Sequence, residues 1–542
     1  EIEQNMQKIA KGDLPFFWSI DFPEIFMYKG GFDIVIGNPP YIEQVEIEDP
    51  TGNIDNNDDY KALLKQMVKQ DFPDDIHIKD ISGMSDLYTF FYIRGLRLLN
   101  SKGVLNYICS NSWLDVEFGA WLQKFLLERC QIYFIIDNLS KRVFREAGVN
   151  TIISVIGARQ RMVRGDDLIR FVAFKLPFEN SLYTENFLDI EDTTNRIDYS
   201  DLRVNRVSRA SLLEEGWGNS EQKKYRGSKW GGIYIKAPDI YFTIMKKGKD
   251  KLVKLNELAS VKRGFTTGAD DFFYIPKSNP DNIEQEFLKP VIKSPRECRS
   301  ILINPTNLRF WVFLCHSEKH KLKGTNALKY IEKGESTKTY ITRGRNRGKY
   351  VIGFHNIASV RGRKNWYDLR IKETPGLVTP CGFSDTFKVY LNNGVLANQR
   401  LYEIHCQEED LLSLTLILNS SLFFFFLELY SNTGLGEGLL EKTVTEVSLT
   451  PVLDPKCISH LSDIEARIDA IKHREIKSIF EELQVDPETD NFQDANPLPD
   501  RKAIDDVVFQ ALGLTDTEIK ELYAGLLELT ASRLRKARTF KK

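Results

Sequence analysis

Phe32-Asp33-Ile34-Val35-Ile36-Gly37-Asn38-Pro39-Pro40-Tyr41 is the stretch whose reading decides the fold. Phe32, Ile34, Val35 and Ile36 form a run typical of a strand covered on both faces of a parallel sheet. Gly37 lets the backbone leave the strand, and the two prolines fix φ and remove two N–H donors. Carbonyl oxygens are left to accept bonds from a ligand, with the Asn38 amide and the Tyr41 ring beside them. An ordinary strand-to-loop turn is the bland alternative, since Asn and Pro are common turn residues. A buried strand followed by all four residues favours a site.

Working outward, Leu87, Phe90, Phe91, Ile93, Leu96, Leu98 and Leu99 follow helical spacing behind Asp86, which serves as a cap. Val104–Cys109 is a second strand, with Asn111-Ser112-Trp113-Leu114 as its exit turn. Residues 120–130 read as a helix, 131–137 as a third strand and 151–156 as a fourth. Alternation of this kind predicts a doubly wound α/β sheet, whose functional turns lie at the carboxyl ends of strands.

Asn38-Pro39-Pro40-Tyr41 after a strand resembles the catalytic motif of amino-methylating DNA methyltransferases. Ser85-Asp86-Leu87-Tyr88, Gly103–Leu114 and Arg142-Val143-Phe144 before Val149-Asn150-Thr151 extend the likeness in order over the first 160 residues. The resemblance is to gamma-type adenine-specific enzymes, in the form found in single-chain, Type IIG/IIS-like restriction–modification proteins. It implies that the Asn38 side-chain oxygen and the Pro39 carbonyl accept the two N–H bonds of adenine's exocyclic amine, with Pro40 completing the rigid turn. Acceptors placed where positive charge develops are preorganised electrostatic catalysis, and need no metal. The base must first leave the duplex; Tyr41 stacks on it, and Phe144 clamps its other face. A core position is the alternative for Phe144, but the charges at Lys141, Arg142, Arg145 and Glu146 favour an exposed loop.

The family binds S-adenosylmethionine on a Gly-rich turn after a strand, with an acidic residue for the ribose. Residues 1–31 supply neither. Gly434-Leu435-Gly436-Glu437-Gly438 follows an apolar helix-like stretch, which makes it weak as a cofactor loop. The cofactor half is therefore expected upstream of Glu1, and the fold class is α/β with a partial methyltransferase sheet. An α+β DNA target-recognition domain and a helical region follow. A first residue that is not Met, so close to the motif, suggests a fragment or a processed chain.

Composition sets the limits. The 542 residues allow two to four domains with real cores. With 74 basic and 76 acidic residues, a nucleic-acid surface has to come from local segregation of charge. Seven cysteines without a Cys-x-x-Cys pair suit a reducing cytoplasm. Cys315, His316 and His320 have ligand-like spacing but no fourth partner, so they read as surface residues. No signal peptide or bilayer-length apolar run is visible. Leu411–Tyr430 comes closest and reads as a buried helix interrupted by polar residues.

Residues 1–165 are thus expected to be the methyltransferase catalytic region, with 43–83 a long acidic, irregular insertion. Residues 166–250 connect, 251–455 form the recognition domain and 456–542 are helical. Lys251 onward resembles the recognition domain of the same enzymes, through Val261-Lys262-Arg263-Gly264-Phe265-Thr266-Thr267-Gly268, Lys289–Ser294 with Lys293, and Arg361–Tyr367. Charge supports this independently. Lys338, Arg343, Arg345, Arg347, Lys349, Arg361, Arg363 and Lys364 accumulate where Asp368 is the only acid between Ser336 and Leu369. Basic residues on flexible turns suit phosphates, and arginines read guanine edges. A solvated basic loop is the alternative.

Beyond Pro455, Leu461 to Leu483 make one amphipathic stripe, Asp500 starts a helix that Gly513 closes, and Thr515–Glu518 is a capping box. A basic end (Arg533, Arg535, Lys536, Arg538, Lys541, Lys542) complements a helix dipole and could touch phosphate, although packing fits the stripe better. Glu475-Ile476-Lys477 and Glu518-Ile519-Lys520 have nuclease-like spacing but fall on predicted helices, so they read as surface charge; a cleavage domain would lie upstream. The reading that emerges is an adenine-specific DNA methyltransferase part with double-stranded DNA as partner, no membrane and a cytoplasmic location. Its rival is a non-catalytic DNA-specificity module of a restriction–modification or phage-defence system.

Overall fold

The computed structural model describes residues 17–144, 149–217, 224–341, 347–371, 373–435, 438–489 and 491–539. The chain groups into two compact units. One comprises residues 1–239, 432–439 and 529–542, the other 240–431 and 440–528.

The first unit is built on a seven-stranded sheet. Its strands are β1 (Phe32–Gly37), β2 (Leu99–Ser110), β3 (Cys130–Asn138), β4 (Thr151–Arg159), β5 (Leu168–Phe174), β6 (Ile197–Asp198) and β7 (Leu202–Ser208). Their order across the sheet is β1-β2-β4-β3-β5-β7-β6. Only β1 with β2 and β3 with β5 run parallel; β4 lies antiparallel between β2 and β3. The sheet is thus mixed, not the parallel doubly wound sheet expected. Locally, β3 and β4 follow each other as antiparallel neighbours, with no helix among the described residues between them.

The first strand also departs from its expected burial. β1 is an edge strand, with Ile34 64% and Ile36 82% exposed, although Phe32 is ringed by Trp18, Phe22 and Phe26. A run of apolar residues records that a strand is to be covered, not what covers it.

Helices α1 (Asn57–Asp71), α2 (Leu87–Arg97) and α3 (Ala120–Arg129) belong to this unit. α1 corrects the expectation of an irregular insertion. The Asn56 side chain caps it at Asp58 N, and Leu64 and Val68 are buried. Each such burial stabilises by about 1.5–3 kcal/mol, enough to order an otherwise acidic segment. Residues 230–236 wind as a wide π-helical turn whose Gly231 and Gly232 amides donate to Asp115 Oδ1 at 2.9 and 3.1 Å. A Cβ on Gly231 would meet Asp115 Oδ2 at 2.4 Å, so only glycine allows that approach.

The second unit holds several small sheets. β8 (Leu252–Lys254) pairs with Pro451–Leu453, and β9 (Ala259–Arg263) joins Leu401–Cys406. β10 (Tyr274–Pro276), β11 (Leu288–Ile292) and β12 (Phe310–Phe313) form another sheet, completed by Leu396–Ala397. β13 (Lys338–Tyr340) and β14 (Tyr350–Ile352) make a separate two-stranded ribbon. An aromatic core around Phe272 packs against β10, β11 and β12: Trp366 lies 4.4 Å and Tyr330 4.8 Å from its ring.

Leu411–Leu418 and Ser421–Tyr430 are two buried helices bent by 76°, not one helix. The Asn419 side chain at the break satisfies Val389 N and O, and Ser420 caps the second helix. No single helix among the described residues is long and apolar enough to cross a membrane. The single stripe expected from 461 to 483 is likewise two short helices, Ile464–Ile471 and Ile479–Glu482, with Glu475–Lys477 in the loop between. Helix Pro499–Leu512 ends on left-handed Gly513 (φ 72°), and the Thr515–Glu518 box opens helix Asp516–Arg538.

Candidate active site and recognition surface

Asn38 to Tyr41 leave the carboxyl end of β1 beside β2. Gly37 packs on the Tyr107 ring, where a Cβ would come within 3.1 Å. Asn38 is exposed, Pro39 buried and Tyr41 half-buried. The Tyr41 hydroxyl donates to Asn38 Oδ1 and lies 3.4 Å from the Ile108 carbonyl. Burial, with a smaller push from Cys109, raises the Tyr41 phenol to about 12, so it stays a donor at neutral pH. A carboxamide oxygen has two lone pairs. One is taken by Tyr41, which orients the amide.

The loop after the turn is fastened to the start of α2. The Leu87 amide donates to the Ile42 carbonyl at 3.1 Å, and the Gln44 amide donates to Asp86 Oδ1, also at 3.1 Å. Asp86 stands at the cap position but makes no side-chain bond to its own helix. Its carboxylate therefore ties the loop after the Asn38–Tyr41 turn instead of capping α2, which corrects the sequence reading. Burial raises the Asp86 carboxyl to about 6, against the opposing bond from Gln44 N–H. Behind the turn, the Tyr92 hydroxyl bridges Cys109 Sγ at 2.9 Å and Ser154 Oγ at 2.8 Å. Every described cysteine is a free thiol.

Phe144, expected on the far side of the base, lies with its ring centroid 6.4 Å from that of Tyr41, tilted by 51°. It is half-buried, while Arg142 is almost completely buried and Lys141 pairs with Glu179. The charged neighbours were expected to mark an open loop; two of them instead anchor it. Arg145 and Glu146 lie outside the described residues.

Asn138 starts this loop, its side-chain oxygen accepting from the Ser140 and Lys141 amides at 3.0 and 2.9 Å. Lys536 reaches the same place: its Nζ donates to Asp137 Oδ1 at 3.1 Å and to the Asn138 carbonyl at 2.6 Å. The Thr539 hydroxyl accepts from the Arg142 amide at 3.4 Å. Lys536 is therefore a buried structural cation, not a phosphate contact; Lys541 and Lys542 lie outside the described residues. Nothing in the sequence pairs residues 138 and 536. The one available signal was Asn138 two residues before Ser140, the spacing of a side-chain-capped turn.

Gly438, the described end of the glycine-rich turn, offers no cradle for S-adenosylmethionine. The Arg533 guanidinium donates to the Gly438 carbonyl, and a Cβ on Gly438 would lie 2.9 Å from that of Ala537. Gly438 thus faces protein; Gly436 and Glu437 lie outside the described residues. No group of three or more His, Cys, Asp or Glu side chains among the described residues could hold a metal. His316 pairs with Asp368 at 2.8 Å, His320 with Glu318 at 3.4 Å, and Cys315 is buried. Glu518 pairs with Lys247 and Lys477 with Glu481.

In the second unit, Lys262 and Arg263 are exposed on β9, with Arg263 Nε donating to the Gln399 carbonyl at 2.9 Å. Arg361 is exposed on the short helix Ala358–Arg361. Arg363 is not free for DNA. Its Nη2 donates to the Thr267 carbonyl at 2.8 Å and its guanidinium lies 5.6 Å from the Phe273 ring, so it braces the Thr266–Thr267 loop. This brings the 361–363 segment alongside the strand that carries Arg263. Lys293 sits over Phe310 and Tyr274, at 4.4 and 4.6 Å. Arg347 is exposed; Arg343 and Arg345 lie outside the described residues.

Comparison with known proteins follows the same division. Residues 1–144 match the model of the Eco57I restriction-modification methylase family, and 227–485 match that of the Type II methyltransferase M.Eco57I C-terminal domain. The Type II methyltransferase M.AccI of Acinetobacter calcoaceticus is 24% identical over 337 residues, covering 59% of this chain and 52% of that protein. M.BstVI of Geobacillus stearothermophilus is 31% identical over 106 residues, 20% of this chain and 16% of its own. The chain thus spans about half the length of M.AccI, and less of M.BstVI. The Type IIL restriction-modification enzyme MmeI, solved with DNA, shares the fold at a TM-score of 0.50 and 13% identity, over 98% of this chain and 63% of MmeI. Methylase and M.Eco57I-type models thus fall on successive parts of one chain, residues 1–144 and 227–485, which makes this chain similar to the Eco57I-type restriction–modification methyltransferases.

Proposed function

We propose that this chain carries the target-base and DNA-recognition machinery of an adenine-specific DNA methyltransferase that uses S-adenosylmethionine and acts on duplex DNA. The observation that supports it most is Asn38–Tyr41 at the carboxyl end of a parallel strand, with the Phe144 ring 6.4 Å from Tyr41. A flipped adenine would enter between the two rings, which must part to admit it. Its amine would donate to the free lone pair of Asn38 Oδ1 and to the Pro39 carbonyl. Both acceptors favour a nitrogen whose lone pair is no longer shared with the ring, and both gain strength as positive charge grows on it. Pro39 and Pro40 hold the turn, so little reorganisation accompanies the reaction. The donor, when bound, supplies the methyl group. No donor-binding residue is assigned within the described chain.

The open edge of β1, with Ile34 and Ile36 exposed, fits further strands of a methyltransferase sheet. With the Gly438 carbonyl taken by Arg533 and no donor-binding residue assigned, a second reading is a specificity module without catalysis of its own. One experiment separates the two. Cells expressing the protein in its natural reading frame should accumulate N6-methyladenine at one DNA sequence, and Asn38→Ala should abolish it. Sequence-specific binding without methylation in the parent would leave the module.

A further inference from the structure

We propose that the ribbon of β13 and β14 enters the major groove of duplex DNA with Tyr340 and Tyr350 leading. The inference rests on the DNA-recognition reading above and names the surface that does it.

Register places Lys338 opposite Ile352 and Tyr340 opposite Tyr350, with Thr339 opposite Val351 on the other face. The first four residues therefore form one patch. Tyr340 is 50%, Tyr350 64% and Ile352 65% exposed, whereas Thr339 is only 8%. The tyrosine rings lie 5.2 Å apart, and Lys338 Nζ is 4.6 Å from the Tyr350 ring. The ladder continues through Ile341 N to Lys349 O and Gly348 N to Ile341 O, both 2.9 Å. No third strand pairs with the ribbon among the described residues.

A two-stranded ribbon has little stability alone, and this one is secured at its root. Gly353 N donates to Thr337 O at 2.8 Å, and Phe354, just beyond, is buried in the aromatic core. The patch itself supports nothing beneath it. Two tyrosines and an isoleucine held out together are a liability in water unless a partner covers them.

Charge selects the partner. Lys338, Arg347 and Lys349 are exposed, and no acidic residue occurs between Glu335 and Asp368. Such a surface fits a polyanion. Strands about 4.8 Å apart carrying side chains fit a major groove about 12 Å wide, and not a minor groove of about 6 Å. Tyrosine rings can pack on thymine methyls while their hydroxyls meet base edges, and the flanking cations meet phosphates.

The test uses residues 1–542 and three probes: a 40-base-pair duplex pool of random sequence, the preferred duplex selected from it, and single-stranded RNA of the same length. The parent should bind the selected duplex and protect guanine N7, a major-groove atom, from dimethyl sulfate. Y340A/Y350A should lose about tenfold or more in affinity for that duplex and lose the protection, with its urea unfolding unchanged. K338A/K349A should flatten the salt slope by about 0.9 for each phosphate left without its lysine. Unchanged affinity and protection in Y340A/Y350A, with the parent still binding, would overturn the ribbon and leave the DNA reading standing. A parent that binds no duplex overturns both, and a loss confined to the RNA probe overturns the duplex assignment.

Discussion

The Asn38–Tyr41 turn that follows β1 and the basic ribbon of β13 and β14 are held in opposite ways. Asn38 is oriented by Tyr41, and the chain after it is tied to Asp86 and Leu87, so its polar atoms are committed before any ligand arrives. The ribbon is secured only at its root and keeps Tyr340, Tyr350 and Lys338 outward. Acceptors that must favour a transition state gain from fixed geometry. Side chains that sample many DNA sites need reach more than fixity. Damage to the turn should therefore appear in turnover, and damage to the ribbon in binding.

The sharpest test of that contrast is Asn38→Ala. With one acceptor gone, kcat should fall by about 10²–10³-fold or more, while DNA affinity stays within about twofold. Single-turnover methylation alongside binding isotherms checks both; equal loss in the two would erase the distinction. Phe144→Ala should come next. It should weaken retention of a flipped base by about 1–3 kcal/mol, read by a fluorescent adenine analogue at the target. An unchanged signal would make Phe144 an ordinary packing residue.

A smaller effect separates two arginines that look alike in sequence. Arg363→Ala should destabilise the second unit by about 1–2 kcal/mol, because the carbonyls it braces lose their donor. Arg361→Ala should leave urea unfolding unchanged and reduce the salt slope of binding by about 0.9 if it meets a phosphate.

The smallest expected effect is a pH dependence at Asp86. Its folded-state carboxyl titrates near 6, above an unfolded value of about 3.9, so ionising it works against the fold. Its contribution to stability is fully present below about pH 4 and is lost as pH rises through 6. Asp86→Asn keeps an oxygen for the Gln44 amide without the charge. The stability difference between variant and parent should therefore shift in the variant's favour between pH 4 and 6 and level off above 7. Urea titrations at several pH values decide this, and a flat difference would dismiss the linkage.

The turn's place was legible because its evidence is local: Gly37 and two prolines behind an apolar strand set where the chain leaves the sheet. The strand's surroundings were not, since Ile34 and Ile36 look the same whether covered or exposed. α1 was hidden because only two buried residues and one capping Asn offset a run of acidic side chains. Arg363 and Arg361 belong to one basic cluster, and only the fold shows that the first points back into the loop before Gly268. The ribbon's charge was visible, but its pairing was not: each strand is three residues long, too short for alternation to declare itself.

The bond between Lys536 and Asn138 joins positions 398 residues apart. During synthesis at roughly 5–20 residues per second, about 20–80 s separate their appearance. Throughout that interval Asp137 has no ammonium partner, and the loop leading to Phe144 lacks one of its fastenings. The nascent first unit can lay down its sheet early, yet it cannot fasten this loop until translation has passed through the whole second unit. A chain cut short in between has a formed sheet and an unfinished Phe144 loop. Any product that ends before residue 536 thus carries the sheet without this fastening of the Phe144 loop.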